Sequence, residues 1–351
     1  MTGTGALSGR ARSAAVALVR RPAVQRAART FFHGVHRLEE RIVLPPELAT
    51  PEERKLRRSW TRHRPELLDQ YLVSGYQNPR FNVQSILSRH ALVRELFGAC
   101  FEDLMRSELR HAVELNEALR LRAAELSVTM GVYLDEERLA EVQRVTAAVA
   151  DRERLFEERW RSALAERTPS DTTLGRQLRV LELACGSAND FRALADYGIA
   201  PFLDYTGIDL NPANIANASR RFPDVRFQVG SVLNLPFEDR AVDVVLAFDI
   251  FEHLSLAAME QALDEAMRVA ERGLILSFFR MTARADHLEE PRGSYHWNEL
   301  SAGRIEERLR ARYDDVTVVE VKRFLAESLG YQHTYNPKAW TMFAQGRRST
   351  A

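Results

Sequence analysis

The 351-residue chain carries 49 basic and 49 acidic residues, so its formal net charge is zero. A neutral chain has no overall field that attracts nucleic acid or an acidic polymer, and a nucleic-acid partner is therefore not favoured. The length exceeds that of one typical domain and predicts two units. The two cysteines, Cys100 and Cys185, make no disulfide framework, which indicates a reducing compartment and a cytoplasmic protein.

Residues 1–45 are a basic N-terminal segment of amphipathic character. Residues 10–37 contain no acid, and arginines alternate there with apolar side chains. The longest apolar run, residues 14–19, is far shorter than the ~20 residues that span a bilayer. Two interpretations stay open: a terminal helix with solvated arginines, or a helix that lies on an anionic membrane and makes the protein membrane-associated.

Residues 46–168 are predicted to be a helical N-terminal domain that caps the rest of the chain and contributes to the acceptor site. Apolar side chains recur at helical spacing over residues 85–126 and again over 135–166. The polar stretch 168–173 is the best linker, so a second domain is predicted over residues 174–351.

A turn-rich segment, residues 74–82, is dense in amides and aromatics. One interpretation is a loop whose amides satisfy backbone groups. The other is an acceptor pocket, with hydrogen-bonding groups from Tyr76, Asn78, Arg80, Asn82 and the nearby Gln84.

Residues 180–190 predict a strand, a tight turn and a helix start. The apolar strand contains one acid, Glu182, and the turn contains Ala184, Gly186 and Ala188, which are small enough to let a ligand approach the backbone. Asn189 is suited to cap the helix that follows. This arrangement is typical of cofactor sites in doubly wound sheets.

Three further strands are predicted downstream. The second ends in Asp209, more than 20 residues beyond the first turn, where a carboxylate can accept the two hydroxyls of a ribose. Residues 227–232 form the third. The fourth, residues 242–254, is almost entirely apolar, as a central parallel strand should be, and it ends in a polar cluster.

These motifs, in this order, make residues 179–346 resemble the class I, Rossmann-like S-adenosylmethionine-dependent methyltransferases. The resemblance implies that the strand acid Glu182 holds the methionine amino group and that Asp209 binds the ribose. Two departures are visible: Ala184 and Ala188 replace commoner glycines, and Ser231 stands where an acid often binds adenine. The cofactor-binding residues that the resemblance implies for S-adenosyl-L-methionine are Glu182, Ala184, Gly186, Asn189, Asp209, Leu210, Ser231, Val232 and Phe248.

The expected fold is α/β, with a Rossmann-like seven-stranded sheet, helices on both faces and an all-α domain before it. Late strands at residues 316–321 and 340–344 complete the sheet. A dinucleotide-binding oxidoreductase shares this fold, but a turn with Gly186 as its one glycine would crowd a pyrophosphate. A non-catalytic relative that kept the fold is a further alternative.

Methyl transfer to oxygen or nitrogen needs alignment and, for some acceptors, a general base. His296, His253 and Asp249 are the catalytic candidates, because they follow strands whose carboxyl ends bind ligands. A fifth strand is predicted at residues 274–279, and Tyr295, in the polar loop that follows it, is a candidate acceptor contact. Acids and His287 cluster in that loop without the spacing of a helical metal motif, so no metal site is expected.

The sequence therefore predicts an enzyme that methylates an oxygen or nitrogen of a small-molecule or glycan-type acceptor. The alternative is a methyltransferase-like scaffold, or an enzyme that acts on a protein or RNA partner through its helical half.

Overall fold

The computed structural model describes residues 82–115, 154–293, 295–331 and 336–348. Within these ranges, all residues fall in one compact unit, Thr50–Ala351. The predicted basic segment 1–45, including the acid-free residues 10–37, and the acceptor candidates Tyr76, Asn78 and Arg80 lie outside the described residues. The domain boundary at residues 168–174 stays a prediction.

Eleven strands are present in the described residues, and seven of them form one sheet in the spatial order β10–β11–β5–β4–β1–β2–β3. The bounds of these seven are β1 Leu178–Leu183, β2 Leu203–Asp209, β3 Arg226–Val229, β4 Val242–Phe248, β5 Ala270–Phe278, β10 Tyr313–Glu320 and β11 Trp340–Arg347. Four two-residue strands lie between β5 and β10: β6 Met281–Thr282, β7 Pro291–Arg292, β8 Tyr295–His296 and β9 Leu300–Ser301.

The sheet is parallel from β3 to β5, and β11 runs antiparallel to both of its neighbours, β5 and β10. The chain order reverses at β1, which lies between β2 and β4. In open α/β sheets, ligands bind beyond the carboxyl ends of the strands at such a switch point. The predicted seven-stranded Rossmann-like sheet is confirmed, and its switch point coincides with the small-residue turn after β1.

Eight helices lie in the described residues. Three precede the sheet: α1 Val83–Phe97, α2 at residues 102–115 and α3 at residues 154–164. The others are α4 Asn189–Asp196, α5 Pro212–Arg221, α6 Leu256–Val269, α7 Ala302–Arg310 and α8 Val321–Leu329.

Two helix boundaries differ from the sequence prediction. The helical pattern at 85–126 is interrupted at Gly98, whose φ of +60° ends α1 in a conformation that suits glycine. Val321, predicted as the last residue of a strand, instead begins α8. The β10–β11 ladder ends at Glu320, and the apolar residues Val321 and Leu325 that follow are one helical turn apart and buried.

Helices α1 and α3 share a core with the sheet. Leu92 of α1 and Trp160 of α3 are buried in the same apolar cluster as Val244 of β4 and Ile275 of β5. The Gln84 amide adds a polar anchor, since it donates to the carbonyls of Phe278 at 2.8 Å and Trp340 at 3.1 Å. Helix α1 is therefore fixed over the carboxyl ends of β4 and β5.

One buried carboxylate, Glu108 of α2, ties the three N-terminal helices together. It accepts from Arg89 Nη2 at 2.8 Å, His90 Nε2 at 2.6 Å and Trp160 Nε1 at 2.8 Å. Burial acts to raise the pKa of Glu108, but the Arg89 charge and the donated hydrogen bonds outweigh it and lower that pKa to about 2. Burial lowers the pKa of His90, so His90 is a neutral donor and Arg89 supplies the balancing charge.

We expect Glu108→Gln to lower the free energy of unfolding by about 3–5 kcal/mol, because it leaves the buried Arg89 guanidinium without its carboxylate. Urea unfolding at pH 7 measures this. The matched control is Glu102→Gln, which removes an ion pair with Arg94 whose side chains are 44% and 39% exposed. An exposed pair contributes at most about 1 kcal/mol. Equal losses in the two variants would show that Glu108 does not organise the helices.

Candidate cofactor and acceptor site

The turn between β1 and α4 is built from residues in a left-handed conformation. Ala184, Gly186 and Ala188 have φ values of +53°, +54° and +63°. The left-handed conformation costs a non-glycine residue about 1–2 kcal/mol. Of the four non-glycine residues with positive φ in the described ranges, these two alanines and Asp249 all lie at this end of the sheet, so backbone strain is concentrated there.

Gly186 leaves the middle of this turn open. A Cβ built on Gly186 would have no atom within 4 Å, apart from its immediate chain neighbours, so the space above the backbone is empty. Asn189, predicted as the helix cap, is instead the first residue of α4, and Ala188 occupies the cap position. The prediction was wrong by one residue because the left-handed Ala188 already ends the turn.

Asp209, at the end of β2, holds the turn in place. Its Oδ2 accepts from the Gly186 N–H at 3.0 Å, and its Oδ1 accepts from the Asn211 N–H at 2.8 Å and from Asn214 Nδ2 at 3.2 Å. A carboxylate has about four acceptor positions, so these three donors leave capacity for a hydroxyl. Asp209 thus links the first predicted motif to the second.

The predicted adenine contacts lie beside this acid. Leu210 is 73% exposed, which is unusual for a leucine and offers an apolar surface to a flat ring. Ser231 and Val232 are half-buried and lie in the loop after β3, which ends at Val229 and not at the predicted residue 232. The Ser231 Oγ accepts from the Leu233 N–H at 3.2 Å, and that bond shapes the loop.

The side chain of Glu182 is not open to a ligand. It is buried, and its Oε2 accepts from the Tyr205 hydroxyl at 2.7 Å. Burial, together with the charge of Asp190, raises the pKa of Glu182 well above its usual range. Contact between Glu182 and a methionine amino group stays a prediction.

Acidic side chains surround the turn, and their charges act on one another. Asp190 and Asp209 both raise the pKa of Glu182, and Asp190 also raises the pKa of Asp249. Desolvation by the surrounding protein atoms is the largest cause of both shifts, and the neighbouring acids add to it. Several carboxyl groups therefore lie at this end of the sheet, together with Arg221, which donates to the Ser187 carbonyl of the turn.

A cavity of about 240 Å³ adjoins the turn. It lies between α1, the start of α4 and the carboxyl ends of β4 and β5. Among the predicted cofactor residues, Asn189 and Phe248 line it. The full lining is Asn82, Gln84, Ser85, Ser88, Arg89, Leu92, Asn189, Asp190, Ala193, Leu194, Leu246, Phe248, Asp249 and Ser277.

Helix α1 supplies a polar wall to this cavity. Asn82 caps the helix, with its Oδ1 accepting from the Ser85 N–H at 3.2 Å, and Ser88 Oγ lies 3.2 Å from Ser277 Oγ. Asn82 and Gln84 were predicted at an acceptor pocket and both line the cavity. Ser85, Ser88 and Ser277 were missed, although polar residues at positions 85 and 88 recur at helical spacing on an otherwise buried helix.

Asp249 is the one catalytic candidate among the cavity-lining residues. β4 ends at Phe248 and not at the predicted residue 254, so Asp249 follows the strand; its φ is +53°, and its N–H donates to the Ser277 carbonyl at 2.9 Å. Asp249 lines the cavity and is exposed to solvent. Desolvation by the surrounding protein atoms and the charge of Asp190 raise the pKa of Asp249 to about 7. A carboxyl with such a pKa can gain or lose a proton near neutral pH.

The other two catalytic candidates, His253 and His296, do not line the cavity. His253 Nδ1 lies 3.2 Å from the carbonyl of His296, and His296 Nε2 lies 3.3 Å from Glu289 Oε1. Tyr295, the predicted acceptor contact, is 50% exposed beside His253. Their roles stay predictions.

Other kinds of site were sought in the same ranges. No group of three or more histidine, cysteine, aspartate or glutamate side chains in the described residues is arranged to hold a metal ion. No helix in these ranges is both long enough and apolar enough to cross a membrane.

The fold and the site define a Rossmann-like domain in which acidic side chains lie around the turn between β1 and α4; we call this turn the acidic turn. Residues 180–273 match the family described as "Methyltransferase domain". The resemblance to the class I S-adenosylmethionine-dependent methyltransferases is thereby confirmed, and this domain lies in the part of the chain that carries the turn, Asp209 and Asp249. S-adenosylmethionine is the cofactor that the family implies.

Curated relatives agree with this assignment. The chain is 32% identical over 133 residues to a probable S-adenosylmethionine-dependent methyltransferase of Mycolicibacterium smegmatis. The aligned region covers 37% of this chain and 49% of the relative. It is 26% identical over 129 residues to a ubiquinone/menaquinone biosynthesis C-methyltransferase of Campylobacter jejuni, covering 36% and 53%. It is 39% identical over 100 residues to a phthiotriol/phenolphthiotriol dimycocerosates methyltransferase of Mycobacterium ulcerans, covering 27% and 34%.

The chain thus spans about half, or less, of the length of these relatives. Among solved structures, an S-adenosylmethionine-dependent methyltransferase of Methanosarcina mazei is similar at 16% identity and a TM-score of 0.37, covering 48% of this chain and 92% of that one. A likeness of this size carries no functional argument.

Proposed function

We propose that this protein is an S-adenosylmethionine-dependent methyltransferase that methylates an oxygen or nitrogen of a polar small-molecule or glycan-type acceptor. The observation that carries the proposal is the position of Asp249. Its carboxyl group has a pKa of about 7 and lines a cavity of mixed polar and apolar groups beside the acidic turn.

The residues of the turn would hold the cofactor. Asp209 would accept a hydrogen bond from a ribose hydroxyl, Leu210 would pack on the adenine, and Gly186 would let the ligand approach the backbone. When bound, S-adenosylmethionine supplies a methyl group on a positively charged sulfur. The carboxyl groups of Asp190 and Asp249, which line the cavity, would attract that positive charge.

Asp249 would act on the acceptor. As the acceptor oxygen or nitrogen forms its bond to the methyl carbon, the carbon–sulfur bond breaks and its electron pair stays on sulfur. The acceptor then loses the proton of its O–H or N–H group, and the ionised Asp249 carboxylate takes that proton. A general base of this kind contributes about 10²–10⁴-fold to a rate.

The wall of the cavity offers both polar and apolar groups to an acceptor. Asn82, Gln84, Ser85 and Ser88 line it at the start of α1, and Leu92, Leu246 and Phe248 line it as well. The polar groups beside Asp249 support a hydroxylated or aminated acceptor, which the following test sets against the quinone substrates named for two of the relatives.

The test is transfer of a labelled methyl group from S-adenosylmethionine to two panels of acceptors. One panel contains hydroxylated and aminated small molecules and oligosaccharides, and the other contains demethylmenaquinone and its short-chain analogues. We expect label in the first panel, reduced by Ser88→Val in the cavity and unchanged by Ser162→Val, which alters an exposed residue of α3. Label in the quinone panel alone would overturn the acceptor assignment.

The alternative is a methyltransferase-like scaffold, or an enzyme that acts on a protein or RNA partner through its helical half. A scaffold without cofactor binding fails in a cofactor titration of the parent chain, whereas an enzyme for a macromolecular partner binds the cofactor but labels neither panel.

A further inference from the structure

An aromatic cluster lies next to the cavity and takes no part in the proposed chemistry. We call His253, Phe279, Tyr295 and Trp297 the aromatic platform. The His253 ring is central, with centroids 5.4 Å from Phe279, 5.3 Å from Trp297 and 6.1 Å from Tyr295. Phe279 is buried at the base, whereas Tyr295 is 50% exposed at the top. A large exposed aromatic ring of this kind suits ligand contact better than core packing.

The chain connects the platform directly to the cavity. His253 follows the cavity residue Asp249 by four positions, and Phe279 follows the cavity residue Ser277 by two. Because a chain spans at most ~3.6 Å per residue, these pairs of Cα atoms lie within about 14 Å and 7 Å of each other. A ligand with more than one ring can therefore reach both places.

Charged side chains border the platform. Arg280 lies over the Trp297 ring, 5.8 Å from its centroid, and pairs with Glu290 at 2.6 Å. Arg292 joins Glu290 at 2.9 Å, and His296 pairs with Glu289 at 3.3 Å. We call these residues the ionic rim.

The aromatic platform needs an apolar ligand face, and the ionic rim needs hydrogen-bonding groups. An apolar chain laid across the site would take the ion pairs of the ionic rim out of water, which is costly. A sugar ring offers both an apolar face and hydrogen-bonding groups. Its C–H face packs on the negative face of an aromatic ring, and its hydroxyls replace the water that the rim groups would lose.

We infer that the aromatic platform is a second subsite of the acceptor site and binds a sugar ring of a glycan acceptor whose methylated unit occupies the cavity. This inference rests on the proposed function, because the platform positions an acceptor for transfer. Tyr295 is the ring that meets the sugar, and it packs on His253, which in turn packs on Trp297 and Phe279.

The test is a glycan array probed with the full chain in the presence of S-adenosylhomocysteine, followed by titration of the best glycan. We expect binding that Tyr295→Ala weakens about five- to tenfold and that Tyr295→Phe retains, since the phenyl ring suffices for stacking. Leu288→Ala is the matched control, because Leu288 is a 40% exposed apolar residue of the same loop outside the platform. S-adenosylhomocysteine binding should be equal in all four proteins.

Three outcomes would overturn the inference. Binding of S-adenosylhomocysteine without binding of any glycan on the array removes the sugar subsite and leaves the methyltransferase proposal intact. Glycan binding that Tyr295→Ala and Leu288→Ala weaken equally places the sugar elsewhere. A parent chain that binds no S-adenosylhomocysteine removes the proposed function and the acceptor subsite together.

Discussion

Asp209→Ala should weaken S-adenosylmethionine binding at least about tenfold. The variant loses the hydrogen bond from a ribose hydroxyl, and a hydrogen bond to a charged group contributes about 1.5–3 kcal/mol. It also frees the Gly186 N–H, which Asp209 Oδ2 accepts at 3.0 Å. Equilibrium dialysis with labelled cofactor measures the change.

A matched control lies on the same strand. Asp204 is an acid of β2 that is 44% exposed and pairs with Arg226. Because Asp204 lies near the start of β2 and Asp209 at its end, Asp204→Ala should leave binding within about twofold, in line with the small contribution of an exposed pair. If Asp209→Ala binds the cofactor as the parent does, the ligand does not use the end of β2.

Asp249→Asn should lower the rate of methyl transfer by about 10²–10⁴-fold and leave S-adenosylhomocysteine binding within a few-fold. The amide keeps the shape of the carboxylate but cannot take the proton of the acceptor. In the parent chain the rate should rise with pH through about 7, where Asp249 ionises, and this rise should be absent in the variant. Initial rates between pH 5.5 and 9 measure both effects.

Asp249 also makes the free energy of unfolding depend on pH. The pKa of Asp249 is raised in the folded state, so the folded protein holds this proton more tightly than the unfolded chain does. Its ionisation therefore lowers the free energy of unfolding as the pH rises from about 4 to about 7. Asp249→Asn should accordingly be more stabilising at pH 8 than at pH 5 in thermal unfolding.

The control for both readouts is Asp286→Asn, an acid whose side chain is 76% exposed and pairs with Arg304 outside the cavity. It should change neither the pH profile of the rate nor the pH dependence of unfolding. A parent-like pH profile in Asp249→Asn would assign the proton transfer to another group.

The sequence was sufficient for the sheet and for the turn because both depend on local patterns. Apolar runs predicted the strands, and small residues at positions 184, 186 and 188 predicted the close approach of backbone and ligand. The distance between Gly186 and Asp209 follows from the parallel pairing of β1 with β2, which brings their carboxyl ends together.

The cavity wall was harder to predict because it depends on packing between distant segments. Ser88 and Ser277 are 189 positions apart, and no local pattern says that their hydroxyls meet. The buried Glu108 cluster has the same origin, since its donors come from α1 and α3. Helix periodicity identified the apolar faces of these helices but not the polar groups buried between them.

His296, His253 and Asp249 were predicted from residue type and from their place after a strand, and the catalytic role of all three stays a prediction. The His296 and His253 rings belong to the ionic rim and the aromatic platform, whereas Asp249 lines the cavity. The raised pKa of Asp249 arises from desolvation by nearby protein atoms and from Asp190, which the sequence does not place near it.

Calorimetric titration of the parent chain with S-adenosylhomocysteine tests the central claim most directly, because every proposal above requires the acidic turn to hold this type of ligand. The account predicts one site per chain with a dissociation constant on the order of micromolar, or about −8 kcal/mol. The absence of binding would contradict the claim that the turn between β1 and α4 is a working cofactor site.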